Sequence, residues 1–117
     1  CGKLCYNMVF ACSGAADVGA IADQAARQLA REKKAMPCCT AAVAAGISEI
    51  TEKARGAAKI VVFDGCDKEC SKKVLEKAGF VGFAHVQLGE MGMEKGKSPA
   101  TEVRVAMAAQ RGAELLA

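Results

Sequence analysis

The sequence contains no tryptophan, one tyrosine and four phenylalanines. So few flat rings leave little on which nucleobases could stack, which argues against single-stranded nucleic-acid binding. Charge of one sign is also missing. Sixteen Lys and Arg stand against thirteen Asp and Glu, a net charge of +3. The bases are interleaved with acids, as at Lys72, Lys73, Glu76 and Lys77. This pattern is a solvated surface, and no nucleic-acid partner is expected. No apolar run approaches the roughly 18 residues needed to cross a bilayer, so no membrane partner is expected either. There is no internal repeat, low-complexity segment or linker, and residues 1–117 read as a single domain. No stretch resembles a signal peptide; with Cys1 rather than Met at its start, the sequence says nothing of a segment ahead of it.

Hydrophobic residues make up 52% of the 117, enough to bury a core and to exclude disorder. The apolar content is rich in alanine, with twelve glycines, a mix suited to close packing of helices on a sheet. Seven cysteines is a high number for this length, and it is odd. A disulfide framework belongs to shorter, loop-rich secreted chains with an even count. Here the thiols read as metal ligands or redox groups in a reducing compartment, the cytoplasm.

Residues 8–12 (Met-Val-Phe-Ala-Cys) form a buried strand that ends at Ser13-Gly14. Asp17 is placed to cap the helix that follows, in which Val18, Ile21, Ala22, Ala25 and Leu29 share one face. Met36-Pro37-Cys38-Cys39 breaks the pattern, and Thr40 starts a second helix that Gly56 closes. Residues 59–63 are the clearest buried strand. A turn at Asp64-Gly65-Cys66 leads to a third helix, in which Cys70, Val74, Leu75 and Ala78 share a face. Residues 83–88 are a third strand and 89–97 a loop. Ser98-Pro99 starts a last helix that runs to about Leu115. This alternation predicts an α/β fold: a small parallel, Rossmann-like sheet of about three strands flanked by helices.

That topology brings cysteines together. In a parallel sheet the C-terminal ends of the strands share one edge, where ligands bind. Cys12 ends the first strand and Cys66 follows the second. Cys70 lies four residues beyond Cys66, one helical turn on, so the two can share a face. Cys38 and Cys39 lie in the loop after the first helix, and either supplies a third point. The expected set is Cys12, Cys38 or Cys39, Cys66 and Cys70, around one zinc ion in tetrahedral thiolate coordination with Zn–S distances of about 2.3 Å. Nearby helix N-termini favour thiolates. Cys5, seven residues before Cys12, would lie about 20 Å away at about 3.3 Å per residue, and Cys1 further still. Two other readings of the thiols stay open. Cys66 with Cys70, or Cys38 with Cys39, could perform thiol–disulfide exchange. Four thiolates can also hold an iron–sulfur cluster.

Asp64-Gly65-Cys66 followed by Cys70 resembles the DGC-domain proteins, a family named for that tripeptide and regarded as zinc-binding. The resemblance extends to Cys12-Ser13-Gly14 with Val18-Gly19, to Met36-Pro37-Cys38, and to His85 and Leu88 with Gly92 and Lys95. It implies chelating cysteines at Cys12, Cys66, Cys70 and the Cys38/Cys39 pair. It implies zinc binding without an established reaction, so whether the protein is an enzyme stays open. The adjacent pair in the third slot is a departure that leaves Cys38 and Cys39 undecided.

For the other polar residues the structural reading is preferred. Gly14 permits a tight turn and is not a phosphate cradle. His85 is a core or rim residue in mid-strand rather than a ligand. Asp67 caps the third helix and Asp64 shapes its turn, rather than serving as a base for metal-bound water. Met91 and Met93 pack a loop and Met36 fills core, rather than binding copper(I).

Overall fold

The computed structural model describes residues 6–117. Cys1 and Cys5, expected to lie apart from the other cysteines, are outside the described residues. The elements in chain order are β1 (Asn7–Ala11), α1 (Asp17–Arg31), β2 (Met36–Pro37), α2 (Thr40–Ala44), α3 (Ser48–Arg55), β3 (Lys59–Asp64), α4 (Cys70–Lys77), β4 (Ala84–Gln87) and α5 (Glu102–Leu116). A 3-10 turn, Leu88–Met91, follows β4.

The four strands form one all-parallel sheet in the order β2-β1-β3-β4. The α/β class with a small parallel sheet is as expected, but with a fourth strand. β2 has two residues, paired Met8 with Met36 and Val9 with Pro37. It is too short to give a periodic signal and contains a proline. Met36, expected in the core, is 37% exposed on this edge strand.

Both faces of the sheet are covered, which is why β1 and β3 are continuous apolar runs. Val9, Val61, Phe63 and Val86 point to one face, where they meet Ile21, Ala22, Ala25 and Leu29 of α1 and Val105, Ala108 and Ala109 of α5. Met8, Phe10 and Val62 point to the other, against Val43 of α2, Ala54 of α3 and Leu75 of α4. Hence α1 leaves β1 on one face and α4 leaves β3 on the opposite face. The space between the C-terminal ends of β1 and β3 is the point where chain direction divides, the crevice in which such folds bind ligands.

Several boundaries differ from expectation. The segment from Thr40 to Gly56 is two helices, because Gly46 turns left-handed at φ +74° between them. The last helix starts at Glu102, with Thr101 Oγ1 accepting the Arg104 N–H at 3.2 Å. Ser98 is instead buried, and its hydroxyl accepts the Glu94 N–H at 2.8 Å. Among the described residues no helix is long and apolar enough to cross a membrane.

Candidate functional site: a thiol-lined edge of the sheet

Cys12 directly follows β1, and its N–H extends the sheet by donating to the Phe63 carbonyl at 2.9 Å. Cys38 directly follows β2 and donates to the Val9 carbonyl at 3.0 Å. Cys39 is the N-terminal flanking residue of α2. Cys66 lies two residues past β3, and Cys70 is the first residue of α4. All five belong to the C-terminal edge, as the parallel topology requires. Cys12, Cys38 and Cys66 are half-buried, whereas Cys39 and Cys70 are exposed.

These thiols fall into two groups. Burial pushes the Cys12 thiol above its ordinary pKa. The Gly14 N–H partly opposes this, and the nearby Asp64 carboxylate, Cys70 and Cys66 add to it. Cys66 and Cys70 therefore both lie within electrostatic reach of Cys12. Cys38 is also raised by burial. The Cys39 N–H pulls it down, Cys39 itself pushes it up, and Lys53 lowers it. The adjacent pair is thus a second group, and a cleft of about 850 Å3 joins it to Cys12 and Cys70. Cys66 does not line that cleft; it packs against the core on the α1 and α5 face. Among the described residues no three His, Cys, Asp or Glu side chains already surround a common point suited to a metal ion.

The Asp64-Gly65-Cys66 turn has a physical explanation for each residue. Asp64 is 1% exposed at the end of β3. Its Oδ1 accepts the Ser71 N–H at 2.9 Å and its Oδ2 the Lys72 N–H at 3.0 Å, two otherwise unpaired donors in the first turn of α4. Its Oδ2 also lies 2.8 Å from His85 Nε2. An ionised carboxylate only accepts, so Nε2 carries the proton. At Gly65 a β-carbon would stand 2.6 Å from the carbonyl carbon and oxygen of Val18. Only glycine lets β3 run this close to α1. Cys66 then carries the thiol out at the edge.

Two expectations are corrected here. The cap of α4 is Asp64, reaching forward from the strand, and not Asp67. The helix itself starts at Cys70, so Cys66 precedes it, and the two cysteines do not share a helical face. His85 is a rim residue in mid-strand, as expected. It stands on the second residue of β4, and its ring reaches the Asp64 carboxylate. One signal in the sequence could have pointed to Asp64: Glu69, just ahead of α4, is not a residue that caps a helix well, so the cap had to come from elsewhere.

On the opposite side of the edge, Asp17 is the first residue of α1. Its side chain accepts the N–H groups of Val18 at 2.8 Å, Gly96 at 2.9 Å and Ser98 at 3.0 Å. It is not the cap expected of it: the residue ahead of α1 is Ala16, which makes no side-chain cap hydrogen bond, and Asp17 lies inside the first turn. It fastens the loop after the 3-10 turn to the start of α1. That loop carries Met93, which is 5% exposed, and Met91 packs on the same core. The Ser13-Gly14 turn depends on a second glycine, because a β-carbon on Gly19 would stand 2.7 Å from the Gly14 carbonyl oxygen. Ser13 hydrogen-bonds Asp23 at 2.8 Å, and Arg27 pairs with the same carboxylate at 2.8 Å on the wall of the cleft.

Fold and edge together define a small parallel α/β protein with a cysteine-rich ligand edge, built around an Asp-Gly-Cys turn. The chain belongs to the DGC-domain family, whose model matches residues 8–111. It is also similar to the anaerobic and virulence modulator AnvM of Pseudomonas aeruginosa strain PAO1. The two are 33% identical over 88 residues, covering 75% of this chain and 67% of that protein. No solved structure gives a significant match.

Proposed function

We propose that the protein binds one zinc-type metal ion at this edge, through Cys12, Cys66, Cys70 and one of Cys38 and Cys39. The observation that carries this reading is that Cys12, Cys38 and Cys66 follow the C-terminal ends of β1, β2 and β3 on one edge of the parallel sheet, with Cys70 opening the helix after β3. Asp64 spends both oxygens on three hydrogen bonds, and His85 Nε2 on one of them. The proposed donor set is all thiol, the chemistry that suits zinc and other thiophilic ions.

The residues fit such an ion electrostatically. Without a cation, burial and the neighbouring Asp64 and thiols keep Cys12 protonated. A cation reverses that preference and releases protons as it binds. The Gly14 N–H aimed at Cys12 and the Cys39 N–H aimed at Cys38 then stabilise thiolates. Bound, the metal would link three turns of the edge as a four-thiolate centre.

Elemental analysis and a thiol count on anaerobically purified protein test this reading, with single Ser substitutions at the five cysteines. One zinc per chain is expected, lost on changing Cys12, Cys66, Cys70 and one of the adjacent pair. A metal-free protein with all thiols titratable would overturn it and favour thiol–disulfide exchange at Cys38 and Cys39. A coloured, iron-containing protein would replace zinc with a cluster.

A further inference from the structure

Cys66 and Cys70 have the spacing of one helical turn, yet helix geometry does not set their separation, because α4 begins only at Cys70. Three residues, Asp67, Lys68 and Glu69, join them outside any regular element. A turn hydrogen bond from the Glu69 N–H to the Cys66 carbonyl, at 3.2 Å, spans the gap, and a further contact must fix that turn against the sheet. We propose that His85, though it is no ligand, positions this pair by holding the Asp64 carboxylate that ties the two ends of the turn together. The proposal rests on the metal site proposed above.

At one end of the turn the imidazole Nε2 donates to Asp64 Oδ2 at 2.8 Å. Asp64 is two residues before Cys66 and also holds the N–H groups of Ser71 and Lys72, the two residues after Cys70. The carboxylate thus ties the strand end that carries Cys66 to the helix start that carries Cys70. Nδ1 of the same ring, which carries no proton in this tautomer, stands 3.8 Å from Glu69 Oε2 without a hydrogen bond. Glu69 directly precedes Cys70. The ring comes from β4, paired in register with β3, so its own position is fixed by the sheet.

Glu69 supplies an independent sign that the turn is shaped for more than connection. Its backbone is left-handed, at φ 53° and ψ 45°. A glycine or asparagine adopts that conformation with less strain, and a glutamate persists there only where its surroundings hold it. The surroundings here are main-chain partners: the Cys66 carbonyl accepts the Glu69 N–H at 3.2 Å, and the Lys73 N–H donates to the Glu69 carbonyl at 3.0 Å. With 17% of its side chain exposed, His85 is shielded enough for its hydrogen bond to Asp64 to persist.

The test uses the full chain with His85→Leu, His85→Gln and Glu69→Gly. Gln keeps an N–H donor near the Nε2 position, and Gly relieves the strained backbone while removing the carboxylate. Cobalt(II) is titrated as a spectroscopic probe of thiolate coordination, and alkylation of Cys70 and Cys39 by iodoacetamide is followed in metal-free protein. Circular dichroism checks that each variant is folded. His85→Leu is expected to weaken cobalt binding by about 10- to 100-fold, the range for groups that orient metal ligands, with His85→Gln recovering most of it. In the absence of metal, Cys70 alkylation should accelerate in His85→Leu and Glu69→Gly while Cys39 is unchanged. Glu69→Gly should do this without loss of thermal stability. If wild type binds cobalt and His85→Leu binds it equally well with the same spectrum, the positioning role is refuted. If wild type binds no metal, the metal reading fails. The alkylation experiment then decides the positioning role alone, and an unchanged Cys70 rate in folded His85→Leu refutes it.

Discussion

Replacing Gly65 with alanine tests the packing that brings β3 and α1 together at the site. The added β-carbon would stand 2.6 Å from both the carbonyl carbon and oxygen of Val18 and 2.8 Å from the Gly19 nitrogen. These are main-chain atoms, so no rotamer change relieves the contact. Helix α1 cannot retreat easily. Val18, Ile21, Ala22, Ala25 and Leu29 are buried in the core, and Gly19 already lies against the Gly14 backbone on its other side. Overpacking of a tight site costs roughly 1–3 kcal/mol, and rigid neighbours place this case at the top, about 3 kcal/mol. With an unfolding entropy of about 2.1 cal/mol/K per residue, a chain of this length loses about 12 °C in Tm. Gly14→Ala is the control. Its β-carbon would meet only Cys12 Sγ, at 3.4 Å, so the change should stay within about 0.5 kcal/mol. Thermal unfolding followed by circular dichroism, in reductant and chelator, separates this effect from metal binding. Equal Tm values for the two variants, or a Gly65→Ala protein as stable as wild type, would refute the reasoning.

Two further predictions concern carboxylates. Asp64→Asn replaces an acceptor of three hydrogen bonds by a group that must turn an NH2 toward a donor. One buried N–H is left unpaired, costing about 1–3 kcal/mol in urea unfolding, and wild-type stability would show that the α4 cap contributes little. Asp17 has its carboxyl pKa lowered by the Gly96 N–H, against opposition from burial and with help from the N–H groups of Ser98 and Val18. A folded pKa below the unfolded one contributes stability that is complete above the ordinary carboxylate value of about 3.9 and is lost as pH falls through the folded value. Asp17→Asn should therefore flatten the acid limb of the stability profile below about pH 4, and speed amide exchange at Gly96 and Ser98. An unchanged acid limb would exclude this linkage.

The parallel sheet was legible because its two central strands are apolar on both faces and are separated by strongly periodic helices. The placing of Cys12 and Cys66 at one edge followed from strand direction, whereas Cys70 was reached through a helical face that the two cysteines do not share. What escaped notice depended on contacts between segments. Asp64 caps a helix that starts six residues later, so no local capping pattern marks it. Asp17 accepts from residues 79 and 81 positions away, a pairing that neither segment encodes by itself. The left-handed Glu69 runs against its own preference, so propensity could only mislead there. The strand at Met36–Pro37 is too short for any period to be read, and its pairing comes entirely from the side of β1.

That short strand has a consequence for how the molecule opens. The segment bearing Cys38 and Cys39 joins the sheet through only two paired residues, one a proline, whereas β1 and β3 are paired along five. Regions with few shared contacts unfold locally at a fraction of the global free energy. The edge therefore has unequal cooperativity: the strands leading to Cys12 and Cys66 belong to the last part to open, and the Cys38–Cys39 segment to the first. Any ligand that needs both parts binds against that local opening equilibrium, and its arrival would draw the weakest strand into the most stable unit of the fold.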